Sequence, residues 1–150
     1  GVDIIGGSGG RREFVELMLS AMEGKIRAEQ LDNALRRREF EVLPAGGLEE
    51  RTRAMLKVQD GCVNFCSYCI IPDARGPVRS KQQDAALEEI AGLVRGGARE
   101  VVLTGIEVAS YGRDLGDTSL EELLCAADAL PEVRRYGKCA DRGSGFSGAG

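Results

Sequence analysis

Three of the five cysteines in this chain lie within eight residues of one another, and the chain contains no histidine. Cys62, Cys66 and Cys69 have the spacing Cys-x3-Cys-x2-Cys. Thiolates are the preferred ligands of zinc and of iron–sulfur clusters. A four-iron cluster normally takes four cysteines, so a cluster held by only three leaves one iron open to a substrate or cofactor. The spacing therefore predicts a metal-binding loop over residues 61–69.

Two other interpretations of these cysteines stay open at this point. A zinc-binding module would use the same three thiolates, with Cys125, Cys139 or a carboxylate as the fourth ligand, and would bind nucleic acid without catalysis. Unliganded core cysteines are disfavoured, because Gly61, Asn64 and Ser67 make the segment a polar loop and not an apolar stripe.

The charge distribution sets the cysteine segment apart from the rest of the chain. The net charge is −4 over 150 residues, which argues against general nucleic-acid binding. Residues 51–81 nevertheless carry six basic and two acidic side chains, a local charge of +4. Such a segment is suited to meet phosphates or the carboxylate of a cofactor.

Hydropathy and cysteine usage bear on the compartment. No run reaches the roughly 18 apolar residues that a membrane span needs, and no secretory signal opens the chain. An odd number of cysteines at ligand spacing favours a reducing compartment over a disulfide framework. We therefore predict a cytoplasmic protein without a membrane partner.

Hydrophobic periodicity predicts a strand followed by a helix on either side of residue 100. Residues 52–59 alternate as in a half-buried strand, with Ala54, Leu56 and Val58 on one face and Met55, Lys57 and Gln59 on the other. A capping box from Ser80 to Gln83 predicts a helix whose inner face carries Ala86, Ile90, Leu93 and Val94, and which ends at Gly96-Gly97. The run 101–103 predicts a second strand, and residues 118–121 predict the cap of a second helix with Leu120, Leu123, Leu124 and Ala127 facing inward.

This order of elements predicts an α/β fold built from two right-handed βα units. In parallel βα folds the chemistry lies at the carboxyl ends of the strands. Loops 60–80 and 104–117 both leave from that end, so we expect them to face one cavity. The second loop offers the polar groups of Thr104, Glu107 and Ser110, while Gly105 permits close approach of a ligand.

The segment before residue 51 has the pattern of a different unit. Residues 2–5 predict a strand, residues 6–10 a glycine-rich connection and residues 11–22 a helix. Residues 24–50 predict a linker, since apolar periodicity weakens and Pro44-Ala45-Gly46-Gly47 follows. The residues after 136 are rich in glycine and predict no third βα unit.

The cysteine segment and the loops near it resemble the radical S-adenosylmethionine (SAM) methylthiotransferases. The resemblance is carried by LKVQDGCVNFCSYCIIP at residues 56–72, ARGPVRS at 74–80 and LTGIEVASYG at 103–112. It covers roughly residues 1–135 and is strongest over 52–116. Within the family, the last two segments are most similar to the branch that acts on threonylcarbamoyladenosine beside the tRNA anticodon. Sister branches act on isopentenyladenosine in tRNA or on an aspartate of a ribosomal protein.

This resemblance implies a cofactor and a reaction. Cys62, Cys66 and Cys69 would hold a [4Fe–4S] cluster, and the amino and carboxylate groups of SAM would bind its fourth iron. An electron from the cluster would cleave SAM to a 5′-deoxyadenosyl radical, which would remove a hydrogen from C2 of the adenine ring. A methylthio group would then be installed at C2. The partners implied are tRNA and an electron donor such as flavodoxin or ferredoxin.

The resemblance also implies roles for residues outside the cysteines. Tyr68 would lie against the adenine of SAM. The loop that carries Thr104, Gly105, Glu107 and Ser110 would help to seat its methionine part. Arg75 and Arg79 are candidates to contact the SAM carboxylate or an RNA phosphate. No residue is assigned as a catalytic acid or base.

The chain departs from the family pattern in two respects. Asp73 stands where the family usually has tyrosine, a change that affects loop packing and not ligation. The family also has an N-terminal domain with three cysteines for a second [4Fe–4S] cluster, the remainder of a barrel and an RNA-binding domain. We therefore expect a fragment that is inactive alone: the end of the N-terminal domain at 1–23, a linker at 24–50, a partial radical-SAM barrel core at 51–135, and a disordered or out-of-frame tail at 136–150.

Overall fold

The computed structural model of the chain describes residues 3–24, 28–43 and 52–133. The predicted tail at 136–150 lies outside the described residues. Within the part described, the chain is a mixture of short strands and helices, as predicted for an α/β protein. None of the described helices is long and apolar enough to cross a membrane.

The N-terminal unit is a small parallel pair of strands with one helix. Strand β1 (Ile4–Gly6) is followed by helix α1 (Arg11–Gly24) and pairs in parallel with β2 (Ala28–Gln30). A short 3₁₀ helix (Ala34–Arg36) follows β2. Regular structure therefore extends into the stretch predicted as a linker, while the domain boundaries themselves stay a prediction.

A second parallel pair of strands carries the predicted βα units. Strand β3 (Arg53–Lys57) pairs in parallel with β6 (Glu100–Thr104), so that Lys57 lies opposite Thr104 at the carboxyl ends of both strands. Ala54, Leu56 and Val58 are buried and Met55 is 64% exposed, which confirms the predicted alternation up to residue 58. The prediction is wrong at Gln59, which is completely buried, because the chain has left β3 by that point.

Two helices form the core together with one face of this pair of strands. Helix α3 (Gln83–Arg95) contacts both strands, and α4 (Leu120–Asp128) packs on α3. The buried cluster comprises Leu56, Val58, Ala86, Ile90, Tyr111 and Leu123. The prediction that Leu124 faces inward is wrong, since a helix turns by about 100° per residue and Leu123 already takes the core position.

Two caps were predicted for these helices, and one of them is correct. Ser119 caps α4, where its hydroxyl accepts a hydrogen bond from the Glu122 amide at 3.2 Å. Ser80 does not cap α3: it lies in strand β5 (Arg79–Ser80), which pairs antiparallel with β4 (Gln59–Asp60). The α3 cap position belongs to Gln82, whose side chain makes no capping bond. The Ser80 hydroxyl instead donates to Asp114 at 2.6 Å.

Candidate metal centre and its supporting loops

The cysteine loop leaves the sheet directly after β4, is anchored at the start of its cysteine run and is closed by a turn at the end of that run. Gly61 has a φ of 76°, which turns the chain away from the strand. The Cys62 amide donates to the Gly76 carbonyl at 3.0 Å, next to helix α2 (Ile71–Arg75), and the Cys69 amide donates to the Cys66 carbonyl at 2.9 Å. These bonds place all three cysteines on one short loop at the carboxyl end of β3.

The donors of this loop suit an iron–sulfur cluster chemically. Cys62, Cys66 and Cys69 are free, Cys66 is exposed and the other two are half-buried. Tyr68, next to the last of them, is 91% exposed. Among residues 3–24, 28–43 and 52–133, no three Cys, Asp or Glu side chains are arranged to enclose a metal ion. The fit therefore rests on the type, number and accessibility of the thiols.

The loop that follows β6 reaches the cysteine loop, as the order of the elements predicts. Cys62 Sγ lies 3.9 Å from Glu107 Oε2, and the same carboxylate oxygen accepts a hydrogen bond from the Ser110 hydroxyl. Ser110 is completely buried, and Thr104 Oγ1 lies 3.5 Å from the Leu56 carbonyl oxygen on β3. The structure therefore brings Glu107 and Ser110 beside the first cysteine.

Gln59 joins the two loops, a role that strand alternation does not predict. Its amide nitrogen donates to the carbonyls of Asp60 and Gly61 at 3.0 and 2.7 Å, and its amide oxygen accepts from the Glu107 backbone at 2.8 Å. The signal present in the sequence is its place immediately before Asp60-Gly61-Cys62. Alternation alone assigns it to the opposite face.

A cluster of charges lies under the start of the cysteine loop. The carboxylate of Asp60 pairs with Lys57 at 2.6 Å, Arg79 at 3.3 Å and Arg75 at 3.8 Å, and it accepts from the Gly61 amide at 2.9 Å. Burial alone would raise the pKa of Asp60, but the hydrogen bond and charge of Lys57, with the Gly61 amide and Arg79, hold that pKa below its usual value.

The two arginines predicted as ligand contacts both belong to this cluster. Arg79 is only 4% exposed, and it also donates to the carbonyls of Arg75 and Pro77 at 2.8 and 3.1 Å. Burial lowers the pKa of Arg79 although Asp60 opposes the change. The guanidinium of Arg79 is thus bound internally, while the side chain of Arg75 is about one-third exposed.

Asp60→Asn is expected to destabilise the protein by about 3 kcal/mol, because it leaves Arg79 as a buried cation without its anion. The pKa of Asp60 is lower in the folded protein than in the unfolded chain, where it is about 3.9. The ionised carboxylate therefore stabilises the fold above about pH 3.9, and this stabilisation is lost as the pH falls through the pKa of the folded state. The variant should lose that part of the acid sensitivity. Urea unfolding between pH 3 and pH 7 measures both effects, with Asp73→Asn, at an exposed position of helix α2, as the control. Equal losses in the two variants would contradict the expectation.

The far end of the second loop is tied to β5. The hydroxyl of Tyr111 donates to the Lys81 carbonyl at 2.9 Å, and Ser80 bonds both Asp114 and the Gly112 amide. Burial, with the charges of Asp114 and Asp117, raises the pKa of Tyr111 to about 12, so this hydroxyl stays a donor at neutral pH. These bonds hold residues 111–114 against the end of β5.

A cavity of about 370 Å³ lies between the glycine run, residues 32–41 and the Asp60 cluster. Three of its arginines are paired within the chain: Arg11 with Glu41 at 3.0 Å, Arg37 with Asp32 at 2.5 Å and Arg79 with Asp60. Glu41 also accepts from the Arg11 amide at 2.6 Å, at the start of α1. Two of these pairs join residues within the stretch 11–41, and the third joins residues at the base of the cysteine loop.

Comparison with known proteins adds to this geometry. The model of the Radical SAM superfamily matches residues 56–138. Threonylcarbamoyladenosine tRNA methylthiotransferase MtaB of Bacillus subtilis is 37% identical over 132 residues, which cover 88% of this chain and 29% of the relative. A tRNA-2-methylthio-N(6)-dimethylallyladenosine synthase of Acetivibrio thermocellus is 36% identical over 137 residues, 89% of this chain and 28% of the relative.

A third relative belongs to another branch. Ribosomal protein uS12 methylthiotransferase RimO of Geobacter sulfurreducens is 48% identical over 85 residues, which cover 54% of this chain and 19% of the relative. The chain thus spans less than a third of the length of these relatives.

Proposed function

The chain belongs to the radical SAM methylthiotransferases, and we propose that it is the part of such an enzyme that holds the [4Fe–4S] cluster and binds SAM. Membership in the superfamily implies both cofactors. The observation that carries the proposal is the loop of three free cysteines at the carboxyl end of β3, with Glu107 beside Cys62.

In this proposal Cys62, Cys66 and Cys69 are the cluster ligands, and the fourth iron is left for SAM. When bound, the cluster and SAM supply a one-electron cleavage that generates a carbon radical. The chain's own residues position the reactants. Cys62 and Cys69 are partly exposed and Cys66 is exposed, so all three thiols are accessible for assembly of the cluster.

The residues around the cysteines have the properties needed to bind SAM. Tyr68 presents an exposed ring on which the adenine can stack. Glu107, held by Ser110 and by its backbone bond to Gln59, supplies a negative charge for the amino group of SAM. Thr104 ends strand β6 and Gly105 begins that loop. Of the two arginines, Arg75 is the one with an accessible side chain for a carboxylate or a phosphate.

For the substrate, we propose C2 of threonylcarbamoyladenosine beside the anticodon of tRNA, with flavodoxin or ferredoxin as the electron donor. Support comes from the segments ARGPVRS and LTGIEVASYG and from the likeness to MtaB. The alternatives within the family are dimethylallyladenosine of tRNA, whose methylthiolated form is named in one relative, and ribosomal protein uS12, which is named in another.

Three chimeras test this assignment. Each chimera is one of three relatives, the MtaB, the dimethylallyladenosine-type or the RimO enzyme, in which residues 56–133 of this chain replace the matching segment. Each chimera is expressed in a host that lacks the corresponding enzyme. Mass spectrometry of tRNA nucleosides and of uS12 reads the three products. We expect methylthiolation from the MtaB chimera and its loss when Cys66→Ala is added. Activity confined to another chimera would reassign the substrate, and inactivity of all three despite soluble expression would contradict the proposed function.

A further inference from the structure

Gln59 occupies an unusual position between the two loops of the candidate site. Its side chain is completely buried, although glutamine is mostly found on protein surfaces. A buried amide is costly unless its donors and acceptor are paired. Here the nitrogen bonds two carbonyls at the start of the cysteine loop, and the oxygen bonds the Glu107 amide on the other loop.

The second loop is shaped to admit this side chain. A Cβ added at Gly105 would lie 2.7 Å from Gln59 Oε1 and 2.9 Å from Gln59 Cβ, closer than real Cβ contacts allow. From the sequence, the small size of Gly105 is expected to permit close approach of a ligand. In the structure, the group that approaches Gly105 is Gln59.

These contacts connect residues that are far apart in sequence. Glu107 follows Gln59 by 48 positions, and the Glu107 carboxylate lies beside Cys62. The side-chain amide of Gln59 therefore bonds both the backbone just before Cys62 and the backbone of Glu107. A shift of either loop breaks bonds made by the same side chain.

We infer that Gln59 is a positioning residue that holds the cysteine loop and loop 105–110 in a fixed register, so that the thiols and the carboxylate of Glu107 are placed together. The inference rests on the proposed function for its consequence, the joint placement of cluster and SAM. The coupling between the loops is a property of the chain itself and is tested on metal-free protein.

The first experiment compares alkylation of two thiols in the reduced, metal-free protein. Cys66 is exposed and serves as an internal reference for half-buried Cys62. In Gln59→Leu, we expect the ratio of Cys62 to Cys66 alkylation by iodoacetamide, read by peptide mass spectrometry, to rise about tenfold, because about one hydrogen bond's worth of free energy no longer opposes local opening. Exchange of the Glu107 amide hydrogen should accelerate in the same variant.

Two control variants separate positioning from general stability. Gln82→Leu makes the same chemical change at an exposed position. Ile90→Val weakens the buried core and leaves every hydrogen-bond partner of Gln59 in place. Both should leave the alkylation ratio unchanged. An unchanged ratio in Gln59→Leu, or an equal rise in Ile90→Val, would overturn the inference.

A third variant covers the case in which Gln59→Leu fails to fold. Gln59→Glu keeps an oxygen to accept from the Glu107 amide and loses the amide donor, so exchange at Glu107 should stay near the parent rate while the Cys62 ratio rises. Faster exchange at Glu107 together with an unchanged Cys62 ratio would overturn the inference.

The second experiment uses anaerobically reconstituted protein and the electron paramagnetic resonance signal of the reduced cluster. Gln59→Leu should retain its iron, since the three thiols remain, but should need about tenfold more SAM to change the signal. An unchanged SAM requirement would overturn the inference. If the parent chain takes up no iron, the proposed cofactor function fails, whereas the alkylation result still decides the coupling.

Discussion

Cys62→Ala, Cys66→Ala and Cys69→Ala are each expected to reduce the iron bound by the reconstituted protein to less than about a tenth of the parent value. Mutation of a residue that only orients a metal ligand lowers metal affinity by about 10–100-fold, so removal of a ligand itself should lower the affinity at least as much. The three free thiols of loop 61–69 are the donors at stake. Iron and sulfide assays after anaerobic reconstitution, with the visible absorbance of the cluster, measure the effect.

Ser67→Ala is the matched control, because Ser67 is exposed on the same loop between two of the cysteines. This variant should bind iron as the parent does. Parental iron in all three cysteine variants would refute the ligand assignment. Uptake of one zinc per chain without iron–sulfur absorbance would instead support a zinc-binding module.

Gly61→Ala is expected to destabilise the protein by about 3 kcal/mol and to disturb the start of the cysteine loop. At a φ of 76° the backbone of an alanine is strained even when there is space for its side chain. There is no space here, since a Cβ would lie 1.9 Å from the Pro77 carbonyl oxygen and 2.6 Å from that of Gly76. Both neighbours are backbone atoms that cannot turn aside, so the loop itself has to move.

The control for Gly61→Ala is a glycine-to-alanine change with the opposite expected sign. A Cβ at Gly92, inside helix α3, meets nothing within 4 Å. Gly92→Ala should therefore stabilise the protein by about 0.5–1 kcal/mol, because alanine loses less backbone entropy in a helix. Urea unfolding of both variants measures the difference, and a Gly61→Ala protein as stable as the parent would show that the turn at residue 61 is not required.

Features that depend on neighbouring residues are predictable from the sequence. The alternation of Ala54, Leu56 and Val58, the inner face of α3 and the Ser119 cap follow from the periods of strands and helices and from local hydrogen bonding. The spacing of the three cysteines is local in the same sense. That spacing suffices to predict a metal-binding loop, and together with the residues that flank it the spacing indicates the family that the chain resembles.

Which polar side chains are buried depends on contacts between segments that are far apart in sequence. The bonds of Gln59 to Glu107 and of Ser80 to Asp114 span 48 and 34 positions, and the burial of Arg79 follows from its pairing with Asp60. A polar side chain is buried when partners from other segments satisfy it, and those partners are brought near by packing of the whole fold. Contacts between distant segments cannot be predicted from local periodicity. For this reason strand alternation predicts the wrong face for Gln59, and the capping motif predicts a cap at Ser80 that the structure does not have.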